Sequence, residues 1–219
     1  MHAVTEAIPV SGRTLMADLH VGPESRGLVV FVHGSGSSRM SPRNRQVADH
    51  LNQRHLATVL FDLLTPGEAR ERSAVFDVDL LAQRLLGVLA WLRRQEATAA
   101  LPVGLFGAST GAAAALQASV DPGAAVSAIV SRGGRPDLAP AALPRVTAPT
   151  LLIVGGLDGM VLDLNRQAAE HLRCPHEVRV IPGASHLFEE PGTLEAVAAA
   201  ARSWFEQHLT APGLVGGAS

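Results

Sequence analysis

The sequence contains no lysine and no tyrosine, and its 219 residues include a single cysteine, Cys174. Without lysine, the chain has neither the lysine of a Walker-type phosphate loop nor the amine of a Schiff-base enzyme. Without tyrosine, a phenol cannot act as its catalytic acid or base. One cysteine excludes an intramolecular disulfide framework and a cluster of thiolate metal ligands. Hydroxyl, imidazole and carboxylate groups therefore remain as the main candidates for chemistry.

Charge and long apolar runs are also scarce. The 18 basic residues, all arginine, and 20 acidic residues give a net charge of -2 and form no basic stripe, so we expect no nucleic-acid partner. The longest apolar run, residues 85–92, is too short to cross a bilayer, and the first residues lack a secretory signal pattern. We therefore expect a cytoplasmic protein that does not bind membranes. We expect residues 1–209 to form one domain and residues 210–219 a flexible tail.

Short apolar runs alternate with longer amphipathic segments along the chain. This alternation predicts an α/β fold with a mostly parallel sheet and helices on both faces. In such sheets, ligands bind in the loops at the carboxyl ends of the strands. The predicted strands are residues 4–10, 13–21, 28–32, 57–61, 103–106, 125–130, 150–154 and 177–181, and the predicted helices are residues 42–54, 77–94, 110–120, 161–173 and 193–209.

The strongest chemical motif is Gly107-Ala108-Ser109-Thr110-Gly111, which lies between a predicted strand and an alanine-rich helix. This is the Gly-x-Ser-x-Gly nucleophile elbow in the context that it requires. The sharp turn exposes the serine hydroxyl, and a side chain at either glycine would crowd the neighbouring strand and helix. The alternative is a glycine-rich turn with a helix-capping serine.

A nucleophilic serine needs a base and a carboxylate that orients the base, in the order Ser, acid, His along this type of chain. Asp158 follows the predicted strand at residues 150–154, and His186 follows the strand at residues 177–181. Both loops belong at the same edge of the sheet as Ser109. Asp163 is the alternative acid, but it lies within the first turns of a predicted helix.

An oxyanion hole requires two backbone N–H groups. We expect one from Thr110, directly after the nucleophile, and the other from Ser35 in the His33-Gly34-Ser35-Gly36 loop. We expect His33 to hold this loop in place rather than to act as a second base. The rival interpretation is a dinucleotide-binding loop with Asp62 as its acidic residue, but its third glycine is missing because position 39 is arginine.

Five arginines lie in or near these loops and are candidates for binding an anionic substrate. Structural ion pairs are the alternative for all of them. The five are Arg39, Arg43, Arg45, Arg132 and Arg135.

The motifs VVFVHGSGSS, GLFGASTGAAAAL, LLIVGGLD and IPGASHLF occur in an order that resembles the α/β-hydrolase superfamily, and specifically its dienelactone-hydrolase-like branch. The resemblance covers roughly residues 25–209. It implies an eight-stranded, mostly parallel sheet with the first hairpin at one edge, and hydrolysis of carboxylic esters through an acyl-enzyme. Dienelactone hydrolases proper carry cysteine at the elbow, whereas this chain has Ser109. Cys174 ends a predicted helix and does not replace it.

The expected function is therefore that of a serine hydrolase acting on a small-molecule ester, with Ser109 as nucleophile, His186 as base and Asp158 as orienting acid. No metal or organic cofactor is needed. A thioesterase, an acyltransferase on the same triad, and a non-catalytic binding protein of the same fold are the alternatives, and a homodimer is left open. The connection at residues 131–149 is rich in proline and glycine, which predicts no cap domain, an open cleft and a preference for short acyl or small aryl esters.

Overall fold

The computed structural model describes residues 4–209. Its secondary structure consists of alternating strands and helices, with short 3-10 turns between some of them. The strands are β1 (Val4–Val10), β2 (Arg13–His20), β3 (Gly27–Val32), β4 (Leu56–Phe61), β5 (Val103–Ala108), β6 (Val126–Arg132), β7 (Thr150–Gly155) and β8 (His176–Ile181). The helices are α1 (Pro42–Asn52), α2 (Arg72–Val75), α3 (Val78–Leu92), α4 (Thr110–Ser119), α5 (Gly159–Ala169) and α6 (Thr193–His208).

Within residues 4–209, the strands form one eight-stranded sheet in the order β1-β2-β4-β3-β5-β6-β7-β8. β2 pairs antiparallel with β1 and β4, and every other neighbouring pair is parallel. The predicted fold, including the hairpin at one edge, is confirmed. The loops after β3, β5, β6, β7 and β8 consequently meet at one edge of the sheet, where the predicted site residues lie.

The core lies on both faces of the sheet, and β3 shows how the sequence specifies this arrangement. All six residues of β3 are buried. Val30 and Val32 belong to the apolar cluster that includes side chains of α3 and α4, whereas Val29 and Phe31 belong to the cluster that includes side chains of α1 and α6. Because successive side chains of a strand point to opposite faces, a strand covered on both sides is apolar at every position.

Every predicted element is present, with ends that agree or are shifted by one to a few residues. The largest shift is that of the helix predicted at residues 161–173, which begins at Gly159 and ends at Ala169. The sequence predicted no element in residues 62–76, but this stretch contains the 3-10 turn Glu68–Arg70 and helix α2. No buried residue lies in either of these two pieces, so no apolar periodicity marked them.

The connection between β6 and β7 contains the short 3-10 turns Pro136–Leu138 and Leu143–Arg145. As predicted, the described residues include no cap domain in this connection. Among residues 4–209, we also find no helix with the length and hydropathy that a bilayer span requires. The predicted tail, residues 210–219, lies outside the described residues, as do residues 1–3.

Candidate functional site

Ser109 occupies the turn between β5 and α4. Its backbone angles are φ 50° and ψ −123°, a conformation that residues other than glycine rarely adopt and that costs about 1–3 kcal/mol. Although Ser109 is the residue that precedes the helix, its side chain makes no capping hydrogen bond. The hydroxyl is therefore available for chemistry, in contrast to the alternative interpretation of a capping serine.

The two glycines of the elbow are required by close packing. A Cβ atom on Gly107 would lie 2.5 Å from Cα of Ala112 in the first turn of α4. A Cβ atom on Gly111 would lie 2.2 Å from the carbonyl oxygen of Val32 at the end of β3. Both distances are far below van der Waals contact, as the sequence predicted for these positions. These two close approaches pack the first turn of α4 against β5 and against the end of β3.

Asp158 and His186 form a direct pair. Nδ1 of His186 lies 2.6 Å from Oδ2 of Asp158, which is a short distance typical of a charge-assisted hydrogen bond. With Nδ1 held by the carboxylate, Nε2 remains as the nitrogen that can accept a proton. Asp163 instead lies within α5, where it is largely exposed and 3.6 Å from the guanidinium of Arg166. The structure therefore brings Asp158, and not Asp163, to His186.

Backbone contacts bring the loops of Asp158 and His186 together. The N–H of Leu157, next to Asp158, donates to the carbonyl oxygen of Ala184 at 2.9 Å. A Cβ atom on Gly155 would lie 2.4 Å from the same oxygen, so the two loops can approach this closely only with glycine at position 155. The pair is consequently assembled by the backbone as well as by the two side chains.

The loop after β6 contacts both His186 and Ser109. A Cβ atom on Gly133 would lie 3.5 Å from Cε1 and Nδ1 of His186, so the imidazole packs on this glycine. On either side of Gly133, the carbonyl oxygen of Arg132 accepts the N–H of Ser109 at 3.3 Å, and the N–H of Arg135 donates to the carbonyl oxygen of Ser109 at 3.1 Å. Ser109 and His186, which holds Asp158, therefore both contact one short loop.

Two residues that support this arrangement were not found from the sequence. The carboxylate of Glu190 accepts the N–H of Ser185, next to His186, at 3.0 Å. Hydrogen bonds from the backbone and side chain of Ser185 lower the pKa of Glu190. The buried side chain of Asn165 on α5 donates to the carbonyl oxygen of Gly134 at 2.9 Å. Neither residue belongs to a motif, because each acts through a backbone atom of another residue.

The predicted oxyanion donors are adjacent, but one of them is occupied. The N–H of Thr110 lies at the first position of α4, where a helix provides no intrahelical acceptor. The N–H of Ser35, however, donates to Oγ1 of Thr110 at 2.8 Å. In this structure the N–H of Ser35 therefore already has an acceptor, which an oxyanion would have to displace. The spacing of residues along the chain could not show that a side chain 75 residues away reaches it.

His33 links the oxyanion loop to the loop after β4, as expected. Its Nε2 accepts the N–H of Leu63 at 3.1 Å, so Nδ1 carries the proton and donates to the carbonyl oxygen of Gly34 at 2.9 Å. Burial lowers the pKa of His33 and favours this neutral form. Because both nitrogens are engaged, His33 has none left to act as a base.

Four of the five candidate arginines form ion pairs with carboxylates. Arg39 NH1 lies 2.6 Å from Asp62, whose carboxylate is therefore occupied and not open to a ribose. The other three pairs are Arg43 with Glu189 at 3.1 Å, Arg45 with Asp18 at 2.9 Å and Arg135 with Asp137 at 2.8 Å.

Arg132 differs from the other four arginines because it is buried. It donates to Oδ1 of Asn44 at 3.2 Å, and its guanidinium lies 5.9 Å from the centre of the Phe188 ring. Burial, together with the nearby charge of Arg43, lowers its pKa to about 10. It remains charged at neutral pH and helps to connect β6, α1 and the segment after His186.

No metal site is evident in the part of the chain that the structure describes. Within residues 4–209, no group of three or more His, Cys, Asp and Glu side chains could hold a metal ion. Cys174 is buried, and burial raises the pKa of its thiol. The polar groups assembled at the sheet edge are thus a hydroxyl, an imidazole and a carboxylate, which together suit nucleophilic catalysis.

Solved structures with the same architecture include close and distant relatives. A dienelactone hydrolase from Anabaena variabilis is 51% identical, with a TM-score of 0.91, and the match covers 95% of this chain and 100% of that one. Est1E from Butyrivibrio proteoclasticus is 15% identical, with a TM-score of 0.79, over 94% of this chain and 98% of that one. The second match shows the shared fold alone.

A Mycobacterium tuberculosis protein that is provisionally named a phosphoribosyl transferase is 56% identical over 213 residues. The match covers 97% of this chain but 47% of that protein, so the chain spans about half the length of this curated relative. The sequence model of the dienelactone hydrolase family matches residues 57–210, which is more than half of the chain. The chain therefore belongs to the dienelactone hydrolase family and has a hydrolase fold.

Proposed function

We propose that the chain hydrolyses small carboxylic esters through an acyl-enzyme formed on Ser109. The observation that carries this proposal is the 2.6 Å contact between His186 and Asp158. His186 packs against the loop after β6, whose backbone also forms hydrogen bonds with Ser109. A carboxylate that holds Nδ1 of an imidazole orients Nε2 as a general base and stabilises the imidazolium that forms. Membership of a hydrolase family supports a hydrolytic reaction, and the serine nucleophile makes an ester the substrate that we propose.

In the proposed reaction, Nε2 of His186 takes the proton of Ser109 as the serine oxygen attacks the ester carbonyl. The imidazolium then gives this proton to the oxygen of the leaving alcohol, and the acyl group stays on Ser109. Water attacks the acyl-enzyme in the second half, with His186 again accepting and returning one proton. The products are an alcohol and a carboxylic acid, and Asp158 keeps its negative charge throughout.

We propose that the negative oxygen of the tetrahedral intermediate binds the N–H of Thr110 and then competes for the N–H of Ser35. That second N–H donates to the Thr110 hydroxyl when no substrate is bound. An oxyanion is a stronger acceptor than a neutral hydroxyl, so it can displace the Thr110 side chain as charge develops. This exchange would favour the transition state over the neutral ester.

The name of the Mycobacterium tuberculosis relative does not alter this proposal. More than half of that protein lies outside its match to this chain, and a phosphoribosyl transferase activity can reside there. The matched part includes the elbow and the two loops that supply Asp158 and His186. We therefore assign ester hydrolysis to the elbow and its partners.

A fluorophosphonate probe and p-nitrophenyl acetate test the proposal together. We expect the probe to label the wild-type protein at Ser109. We expect Ser109→Ala to remove the label and to lower kcat/KM at least about a thousandfold, because the acyl-enzyme cannot form. Ser73→Ala, at an exposed serine of α2, is the matched control and should retain both labelling and activity. Unchanged turnover in Ser109→Ala would overturn the proposal.

A further inference from the structure

A cavity of about 240 Å³ lies next to the predicted oxyanion loop. One side of the cavity is the loop after β3, residues 33–38, and the other side comes from residues 62–81 after β4. Apart from Asp62 in the rival dinucleotide-binding interpretation, no function was predicted for this second segment. Its apolar side chains in the cavity wall are Leu63, Leu64, Pro66, Ala69, Val75 and Leu81.

The cavity adjoins Ser109 through Gly34. Gly34 lines the cavity, and a Cβ atom on it would lie 3.0 Å from Cβ of Ser109. The order of strands then fixes which side of Ser109 the cavity occupies. β3 and β4 lie on one side of β5, whereas the strands that precede the loops of Asp158 and His186, β7 and β8, lie on the other. The cavity and the proposed base therefore flank the nucleophile from opposite sides.

This arrangement separates the two halves of an ester. The alcohol oxygen must receive its proton from His186, so the leaving group lies on the β7 and β8 side of Ser109. The carbonyl oxygen faces the N–H groups of Thr110 and Ser35, and the remaining substituent, the acyl chain, extends toward β3 and β4. We propose that the cavity is the acyl-binding pocket and that it selects an uncharged acyl group about as large as one ring. This inference rests on the proposed ester hydrolysis.

The charges around the cavity support an uncharged occupant. Among the residues that line the cavity, only His33 and Asp62 have titratable side chains. Both nitrogens of His33 are engaged with backbone groups, and burial lowers its pKa. The two oxygens of Asp62 accept the backbone N–H of Arg39 at 2.8 Å and its guanidinium at 2.6 Å. A carboxylate on the acyl group would meet Asp62 and would find no free cation in the wall.

The volume of the cavity limits the size of the acyl group. An apolar cavity of about 150 Å³ holds benzene, whereas drug-sized ligands occupy about 300–1,000 Å³. A cavity of about 240 Å³ lies between these values. It therefore fits a single ring with a small substituent, or a branched chain of similar size, and not a long unbranched fatty acyl chain.

The test uses p-nitrophenyl esters, which keep the leaving group constant while the acyl group changes. For the wild-type protein, we expect kcat/KM for the hexanoate to be at least about tenfold higher than kcat/KM for the monoester of adipic acid. The two acyl chains are similar, but the adipate chain ends in a carboxylate. A preference for the adipate monoester would overturn the assignment of an uncharged acyl group.

The variant Ala69→Phe tests the location of the pocket. Ala69 is exposed and lines the cavity, so a larger side chain can enter the cavity without disturbing the core. We expect kcat/KM for the cyclohexanecarboxylate ester to fall at least about tenfold and that for the acetate to change less than about twofold. Ala97→Phe, at an exposed alanine after α3, is the matched control and should change neither value.

An equal loss on both esters, or no loss on either, would overturn the assignment of the acyl pocket. Fluorophosphonate labelling separates this failure from failure of the proposed function. If the wild-type protein neither reacts with the probe nor hydrolyses the acetate, ester hydrolysis itself is wrong. If it does both and Ala69→Phe still fails to discriminate between the acyl groups, the pocket assignment is wrong.

Discussion

At the scale of single residues, Asp158 and Asp163 are the two candidates for the acid of the proposed triad. Asp158 contacts His186 at 2.6 Å, and Asp163 lies on α5 in an exposed pair with Arg166. We expect Asp158→Asn to lower kcat about 10³–10⁴-fold, since an amide at this position favours the wrong imidazole tautomer. Asp163→Asn is the matched control and should stay within about twofold of wild type. The measurement is kcat on p-nitrophenyl acetate, and a severe loss in Asp163→Asn would show that the acid is misassigned.

The single thiol provides a second prediction at this scale. Cys174 is buried, and burial raises its pKa, which leaves little of the reactive thiolate at neutral pH. We expect iodoacetamide at pH 7 to leave the hydrolysis of p-nitrophenyl acetate unchanged, with Cys174 unmodified by mass spectrometry. A loss of activity that follows alkylation of Cys174 would contradict Ser109 as the nucleophile. Unchanged activity after iodoacetamide would set the chain apart from family members that carry cysteine at the elbow.

At the scale of elements, His33 connects two of the loops that form the site. Its hydrogen bonds join the oxyanion loop after β3 to Leu63 after β4, and they require the neutral imidazole. Because burial lowers the pKa of His33 in the folded chain, the unfolded chain binds a proton below about pH 6.5 that the folded chain does not. The contribution of His33 to the free energy of unfolding is therefore complete above about pH 6.5 and is lost as the pH falls.

This linkage predicts a smaller pH dependence in a variant without the imidazole. We expect the wild-type protein to lose more stability than His33→Gln between pH 7 and pH 5, by up to about 1.4 kcal/mol per unit by which the pKa is lowered. The measurement is the free energy of unfolding in urea at both pH values. His171→Gln, at an exposed histidine after α5, serves as the control and should follow the wild type. The same pH dependence in all three proteins would rule out His33 as the group responsible.

The elements also show what the sequence could and could not predict. The parallel strands were predicted almost completely, because a strand such as β3 is buried on both faces and is apolar at every residue. The elbow and the order of Ser109, Asp158 and His186 were predicted because chemistry restricts the residue types there. The segment at residues 62–76 was not, since its exposed turns carry no periodicity and its role depends on contacts with a loop from another part of the chain.

At the scale of the whole molecule, the proposed function depends on how six loops, those after β3 to β8, meet at one sheet edge. Pairing of the parallel strands brings their carboxyl ends into line, and glycines at positions 111 and 155 let neighbouring loops approach closely. The loops after β7 and β8 supply Asp158 and His186, and the loops after β3 and β4 form the cavity. In the proposed reaction, the sheet therefore separates proton transfer from acyl recognition, with Ser109 between them.

The same architecture predicts ordinary kinetics at a lipid–water interface. The connection between β6 and β7 contains two short 3-10 turns and, among the described residues, no helical cap that could open on contact with an interface. Residues 62–81 are anchored near both ends, because His33 ties Leu63 to the oxyanion loop and Leu81 is buried in the core. Access to Ser109 should therefore be the same for dissolved and dispersed substrate. We expect the rate of tributyrin hydrolysis to rise smoothly and saturate as its concentration passes the solubility limit, without a jump at that limit. The measurement is the initial rate by pH-stat titration on both sides of the limit, and a sharp increase above it would reveal a moving lid.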